Sequence, residues 1–299
     1  MTASPPERVH GLRAAASADG RYGKRGVMSG TVGIQREMPI PSLTRTGVVV
    51  HVTGVALNTA ITIWGAIWLA ANWGAIAPPW YLVIAAVLVG LFLSDFFSGL
   101  LHWGFDTWFS EEMRWMERVV MVVREHHVYP QNIFRYKFQY EAGAVSWVSL
   151  GHTLPVIGST TLLLDSKGTF GLLAVQVSVM VSVLTLFMLQ FHKLGHRRSD
   201  SRTVQALQRA KLLMSVRHHS QHHRGAHDTR YCLINGWADF VCDRIGFWRA
   251  AERAIERLTG AVPRSNDDEW MIRYGRKRPD PKVPDSVLEN EKKSCEVGL

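Results

Sequence analysis

The stretch that decides the fold is residues 80–102, WYLVIAAVLVGLFLSDFFSGLLH. Asp95 is the only charged residue among its first 22 residues, and the stretch ends on His102. An α-helix rises about 1.5 Å per residue, so this stretch can cross a hydrocarbon core about 30 Å thick. The sequence therefore predicts a membrane-spanning helix over 80–101 that brings His102 to the membrane surface.

Three other stretches have the length and the apolar composition of membrane spans, at about 46–70, 144–164 and 169–191. The mean hydropathy of the whole chain is nevertheless close to zero, because charged residues are concentrated in the two tails and in the loop 103–142. Such segregation is typical of a multi-pass membrane protein and argues against one soluble core. We predict an all-α fold with four transmembrane helices and a cytosolic, histidine-rich helical cap.

The chain divides into three parts on this interpretation. Residues 1–45 show no sustained apolar period and predict a disordered N-terminal tail. Residues 46–265 form the membrane-embedded domain. Residues 266–299 are polar, contain three prolines and predict a flexible C-terminal tail.

The net charge of +9 has two explanations. Nucleic-acid binding explains a basic chain, but that class of protein fits poorly with four apolar spans. The simpler explanation is that Lys and Arg flank membrane spans on the cytosolic side, and here they lie mainly in the N-terminal tail and the central loop. Both termini and every histidine cluster are then cytosolic, at the inner membrane of a bacterium or the endoplasmic reticulum of a eukaryote.

Four histidines stand in the pattern HHxxHH at residues 218–223, and His227 follows four residues later. Positions three and four apart share a helix face, so His218 pairs with His222, and His219 pairs with His222 and His223. Neutral imidazole is the commonest metal-binding side chain, whereas protonated rings this close repel one another. The pattern favours a metal site over a chance histidine-rich surface turn.

The other histidines are clustered in the same way, in LHWGFDTW (101–108), REHHVYP (124–130) and QFHKLGH (190–196). The candidate metal ligands are His102, His126, His127, His192, His196, His218, His219, His222 and His223. These are too many for one structural zinc site. They suit two metal ions with open coordination positions, an arrangement used in iron and oxygen chemistry.

Four further residues have two interpretations each. Asp106, Glu125 and His227 are either additional ligands or groups that orient a ligand ring through its second nitrogen. Asp95 lies seven residues before His102 on the same helix face. It either orients a ligand histidine or pairs with His152 between two spans, because an ionisable residue in a membrane is usually functional or paired.

The motifs resemble the Kua/CarF lipid desaturase family, of the plasmanylethanolamine desaturase type. The matching segments are SDFFSGLLHWGFDTW (94–108), REHHVYP (124–130), QFHKLGH (190–196), HHSQHHRGAHDTRYCLINGW (218–237) and IGFWRAAERAIERLTG (245–260). The resemblance implies a diiron membrane oxidoreductase that uses O2 and an external electron donor such as cytochrome b5 or ferredoxin. On the plasmanyl branch, the substrate is an alkyl ether phospholipid and the product is the vinyl ether of a plasmalogen.

The segment RYKFQYEAGAV (135–145) departs from that family, because Tyr136, Lys137, Ala142 and Ala144 stand at positions where the family has polar residues. The changes spare every candidate ligand and bear on the substrate. Two alternatives remain open. One is an acyl-chain desaturase or hydroxylase of a phospholipid, and the other is a metal transporter or sensor, which the position of the histidines at the span ends disfavours.

Overall fold

The computed structural model describes residues 42–113, 116–163, 168–224 and 227–264. The predicted tails therefore lie almost entirely outside the described residues. The described residues contain ten α-helices and no β-strand: α1 (Arg45–Ile76), α2 (Trp80–Thr107), α3 (Glu117–Val128), α4 (Phe138–Thr153), α5 (Thr169–Leu186), α6 (Met188–His196), α7 (Arg202–Arg209), α8 (Val216–His222), α9 (Trp237–Ile245) and α10 (Phe247–Thr259). A 3₁₀ helix (Pro130–Arg135) precedes α4, and a π-helix (Leu154–Leu163) continues it.

Three helices of the described chain, α1, α2 and α5, are long and apolar enough to cross a membrane. The all-α membrane fold predicted from the sequence is thus confirmed. The third predicted span, 144–164, falls on α4 and the π-helix together, and neither part has the length of a span by itself. Pro155, which has no backbone N–H, stands where the α-helix gives way to the π-helix.

The fourth predicted span, 169–191, is divided between two helices. Helix α5 ends at Leu186, and α6 begins at Met188. Phe187 between them has a backbone conformation (φ −97°, ψ 2°) outside the α-helical region. The break at Phe187 is a feature of the folded chain, and nothing in the uninterrupted apolar run of this segment indicates it.

Helix α1 packs along α4, and α2 packs along α5. A buried polar group joins α1, α4 and α5. Asn58 donates to Ser182 Oγ at 3.1 Å, and Thr153 donates to Asn58 Oδ1 at 3.2 Å. Polar side chains between membrane helices hold the helices together, because the surrounding lipid offers them no partner.

Helices α3 and α6 to α8 form a cap at the end of α2 that carries His102, and α9 and α10 lie beside the same half of α2. Helix α3 and helix α9 pack on α2, α8 packs on α6, and α10 packs on α9. Helix α8 has only seven residues, and the Ser215 hydroxyl caps it by accepting the His218 N–H at 3.2 Å. This cap brings histidines from distant parts of the chain together.

Candidate metal centre

Four helices supply the side chains of the site. Helix α2 presents His102 and Asp106 on successive turns, and α6 presents His192 and His196 in the same way, because residues four apart lie on one helix face. The set is completed from α3 and α8 by His126, His127, His219, His222 and His223, the last of which directly follows α8. Together these residues form two groups with the spacing of metal ligands.

The first group offers five ring nitrogens within 4.8 Å of one another, from His126, His192, His196, His219 and His223. The Nε2 atoms of His192, His196 and His219 form a triangle with sides of 2.8, 2.8 and 3.2 Å. Two ligands about 2.1 Å from one ion and at right angles to each other stand about 3.0 Å apart. The spacing of the three nitrogens is therefore that of ligands to a shared ion.

His126 adds to this fit. Its ring centroid lies 4.5 Å from that of His192 and 4.6 Å from that of His196. Both of its ring nitrogens are buried and have no hydrogen-bond partner within the described part of the chain. Buried polar atoms in proteins nearly always have a partner, and a metal ion would supply one here.

The second group consists of three rings and one carboxylate, all buried, from His102, Asp106, His127 and His222. His222 Nε2 lies 3.3 Å from His127 Nε2 and 3.5 Å from one Asp106 oxygen. The other Asp106 oxygen lies 3.6 Å from His127 Nε2. Three imidazoles with one carboxylate form a donor set that suits iron or zinc.

The two groups lie side by side. His126 belongs to the first group and His127 to the second, and their ring centroids are 5.3 Å apart. His222 and His223 link the groups in the same way, again at 5.3 Å. The residues present thus fit two neighbouring metal ions.

Backbone carbonyls orient two of the rings. His102 Nδ1 lies 2.9 Å from the Tyr231 carbonyl oxygen, and His222 Nδ1 lies 2.8 Å from that of Thr229. A neutral imidazole carries one N–H, and the carbonyls hold that N–H at Nδ1. The Nε2 atom of each ring then carries a free lone pair, which faces the other members of the second group.

Burial keeps these histidines neutral. It lowers the pKa of the rings well below the usual value, and the neighbouring rings lower the pKa further because charged imidazoles repel one another. This applies to His126, His127, His192, His219, His222 and His223. The pKa of His196 is lowered to about 3, again mainly by burial. Neutral rings are the form that binds metal.

His218 is a predicted ligand that the structure places outside both groups. Its Nε2 lies 2.7 Å from Asp239 Oδ2, and Arg230 Nη1 lies 3.4 Å from its Nδ1. His222 stands four residues later and belongs to the second group, so the contacts with Asp239 and Arg230, and not helix periodicity, set the position of the His218 ring.

The other predicted residues lie around the groups. His227 stacks on His127 with a centroid distance of 4.4 Å and nearly parallel rings. The Glu125 carboxylate accepts hydrogen bonds from Asn132 at 3.0 Å, Arg135 at 3.3 Å and the Tyr136 hydroxyl. Glu125 is thus engaged with the segment after α3 and belongs to neither ligand group.

Asp95 has a role that differs from both of its predicted ones. Its carboxylate accepts the backbone N–H groups of Ile234, Asn235, Gly236 and Ala238 at 2.8 to 3.1 Å. It therefore holds the segment before α9, which also contains Tyr231. His152 packs against the ring of Phe97 at 5.5 Å.

The comparison with known families rests on this part of the chain. A model of the lipid desaturase domain matches residues 91–266, which contain every residue of the two ligand groups. The chain belongs to the lipid desaturase family. It is thus an oxidoreductase that desaturates lipids, as the motifs predict. No solved structure matches it.

Individual members of the family show the same relationship. Plasmanylethanolamine desaturase 1 of Mus musculus is 34% identical over 195 residues, which cover 63% of this chain and 70% of that protein. Plasmanylethanolamine desaturase of Myxococcus xanthus is 32% identical over 196 residues, 65% of this chain and 68% of that protein. Fatty acid desaturase 4, chloroplastic, of Arabidopsis thaliana is 28% identical over 178 residues, 59% of this chain and 52% of that protein.

An apolar cavity adjoins the two candidate ligand groups of this lipid desaturase. It encloses about 130 Å³, and His102, His126 and His192 form part of its wall. Aliphatic side chains form most of the remaining wall, among them Val119, Val122, Val123, Val145, Val148 and Leu189. An apolar cavity bordered by a few polar groups is suited to a hydrocarbon chain.

Sequence reasoning did not find two parts of this site. The carbonyls of Thr229 and Tyr231 orient ligand rings, but any residue type supplies a carbonyl, so no sequence signal marks them. The second part is the ion pair of Lys193 with Glu141 at 2.8 Å, where Glu141 also lines the cavity. Lys193 directly follows His192, and that position is the one signal that points to it.

Proposed function

We propose that this lipid desaturase holds two iron ions, one in each ligand group, and uses O2 to desaturate a lipid chain in the adjoining cavity. The observation that carries the proposal is the pair of neighbouring ligand groups beside an apolar cavity. The nitrogen and oxygen donors of both groups are ligand types that iron takes. Asp106 is a ligand in this proposal, and His218 is not.

Iron and O2 supply the oxidising power that cleavage of an unactivated C–H bond requires and that no side chain possesses. The protein's own residues orient the ligand rings and hold the lipid chain. The Tyr231 and Thr229 carbonyls fix the rings of His102 and His222, and the aliphatic wall keeps water away from the chain. The same wall places one carbon of the lipid next to the ligands, which turns the reaction into an intramolecular one.

The proposed substrate is an alkyl ether phospholipid, and the proposed product is its vinyl ether. The lipid loses two hydrogens, and O2 with two electrons and two protons becomes two molecules of water. Two relatives that bear the name plasmanylethanolamine desaturase, at 34% and 32% identity, support this choice over the 28% identical fatty acid desaturase 4.

An acyl-chain desaturase is the second candidate. Two of the residues at which this chain departs from the plasmanyl pattern, Tyr136 and Ala144, line the cavity. In this proposal the cavity wall selects the substrate, and the wall departs from the plasmanyl pattern at these two positions while the candidate ligands do not. Relatives from Arabidopsis thaliana and from a mimivirus carry the name fatty acid desaturase.

The proposed electron donor is a small acidic carrier of the cytochrome b5 or ferredoxin type. Five exposed basic side chains follow the ligands of α6, namely Arg197, Arg198, Arg202, Arg209 and Lys211. Opposite charges on the two surfaces steer such a carrier to the site. In this proposal the metal centre faces the cytosol.

The test is a lipid analysis of plasmalogen-deficient cells that express the chain or its His222→Ala variant. Acid-labile vinyl ether lipids in cells with the intact chain alone support the ether substrate. A new acyl double bond instead supports the second candidate. No lipid change, together with purified protein that binds no iron, would overturn the diiron proposal.

A further inference from the structure

Residues 231–238 run alongside α2, away from the metal centre. The Tyr231 carbonyl lies at the level of His102, at 2.9 Å from its Nδ1. The Leu233 N–H then donates to Ser98 Oγ at 2.9 Å. The amides of Ile234, Asn235, Gly236 and Ala238 donate to Asp95, three residues nearer the start of α2. The segment thus moves steadily towards the middle of α2.

The chain returns along the same helix after α9. The ring of Phe247 packs on Phe96 at 5.4 Å. Glu252, on the next turns of α10, accepts the Trp103 Nε1–H at 3.0 Å. Arg264 N–H finally donates to the Thr107 carbonyl, at the end of α2, at 2.8 Å. Residues 231–264 therefore form a hairpin whose tip lies at the level of Asp95.

The depth of the tip follows from helix geometry. Seven residues separate Asp95 from His102, which lies at the membrane surface, and this is about 10 Å along α2. At the other end of α2, Trp80 and Tyr81 are exposed aromatic residues of the kind found at membrane surfaces. Asp95 lies about 22 Å from Trp80 along the helix, inside a hydrocarbon core about 30 Å thick.

Irregular backbone at such a depth requires hydrogen-bond partners from the protein, because lipid supplies none. Ser98 supplies one to the Leu233 amide, and Asp95 supplies them to four of the next five amides; the fifth, that of Trp237, donates to Asn235 Oδ1. This gives a physical reason for the only carboxylate within the apolar run of α2. The side chains of residues 231–235 are themselves buried.

The outer face of the tip carries large apolar side chains and one exposed arginine, Arg244, whose stem can lie along lipid while its charged end reaches the membrane surface. Helix α9 buries Ala238, Asp239 and Cys242 against the protein. On its other side, Phe240, Val241 and Ile245 are 72%, 40% and 67% exposed. Large apolar side chains clustered on a surface normally mark contact with another molecule, and at this depth beside α2 the surrounding medium is lipid.

We propose that residues 231–264 are a re-entrant element that enters the bilayer beside α2, where Phe240, Val241 and Ile245 contact lipid acyl chains. The element is anchored by Asp95 and carries the Tyr231 carbonyl that orients His102. The position of this element in the membrane thereby affects the orientation of His102 in the second ligand group.

The proposal is tested with single nitroxide labels on the full chain in phosphatidylcholine–phosphatidylglycerol vesicles. The labelled variants are Phe240→Cys and Ile245→Cys in a Cys295→Ser background, in which the two native cysteines that remain are buried. Leu88→Cys on the exposed face of α2 is the lipid control, and Thr203→Cys on α7 is the water control. Each nitroxide is exposed to O2, which concentrates in lipid, and to a water-soluble nickel chelate.

We expect labels 240 and 245 to behave like label 88, with strong relaxation by O2 and loss of relaxation by the chelate. Chelate relaxation at 240 and 245 equal to that at 203 would show that the hairpin lies in water and would overturn the proposal. Protection from both reagents would also overturn it, because a second protein copy and not lipid would then cover α9.

Discussion

At the scale of single residues, one helical turn separates a histidine that belongs to a candidate ligand group from one that does not. His222 Nε2 faces Asp106 and His127, whereas His218, four residues earlier, pairs with Asp239. Helix α8 spans only Val216–His222, so the residues that surround it, and not its own periodicity, decide where each ring points. Spacing predicts which histidines can share a helix face but not which of them join the candidate ligand groups.

This difference predicts opposite results for two matched alanine substitutions. His222→Ala removes a buried ligand and should lose at least one of two bound iron ions, together with desaturation. His218→Ala removes a ring outside both groups and should keep both ions. Iron per chain in purified protein, measured by mass spectrometry, checks the prediction. Equal iron loss in the two variants would show that the proposed ligand assignment is wrong.

At the scale of helices, glycines set how closely α1 and α4 approach. A Cβ added at Gly54 of α1 would lie 2.6 Å from Trp147 Nε1 of α4, and one at Gly143 of α4 would overlap His51 of α1. The Trp147 ring thus packs against Gly54 of α1, and the His51 ring packs against Gly143 of α4. The Trp147 N–H also donates to the Val50 carbonyl at 3.0 Å, and His51 lines the cavity. The contact between α1 and α4 therefore shapes the proposed lipid site.

We expect Gly54→Ala to lower the free energy of unfolding by about 1–3 kcal/mol, because overpacking forces the two helices apart. Gly74→Ala lies in the same helix with nothing within 4 Å of the added Cβ and is the matched control. It should leave stability unchanged or raise it, since Ala favours a helix by about 1 kcal/mol over Gly. Thermal unfolding in detergent distinguishes the two. Similar melting temperatures for both variants would contradict the packing argument.

At the scale of the whole molecule, the third predicted span decides how many times the chain crosses the membrane. It therefore also decides which loops lie on the same side as the candidate metal centre. Helix α4 and the π-helix together run from Phe138 to Leu163, which is about 38 Å at an α-helical rise of 1.5 Å per residue and somewhat less where the helix is π. That length suffices to cross the bilayer. The chain would then cross four times, with α3 and the cap on one side.

Four spans predict a definite labelling pattern. Ala75→Cys and Gly168→Cys should react with a membrane-impermeant maleimide from one side of sealed vesicles. Glu112→Cys and Asp200→Cys should react from the other side, because an even number of spans separates the cap segments. Labelling of Gly168→Cys from the same side as Glu112→Cys would mean that α4 and the π-helix do not cross the membrane.

The sequence by itself determined the all-α membrane fold, the desaturase family and the residue types of the site. These follow from local properties, since an apolar run of sufficient length must be helical in lipid, and histidines four apart must share a helix face. Each span and each histidine motif lies within about 25 residues of chain, whereas the family resemblance rests on five such segments between residues 94 and 260. Hydropathy records only whether residues are apolar, so the spans look continuous in sequence although the helices break near Pro155 and at Phe187.

Only the tertiary structure decided how the ligands divide into two groups, why His218 is excluded, and what Asp95 does. His127 meets His222 across 95 positions of the chain, and Asp95 meets Asn235 across 140. Contacts at such separations depend on how the helices pack, which no local pattern records. Asp95 shows the physical reason most clearly, because its four partners are backbone amides, and amides carry no mark of residue type.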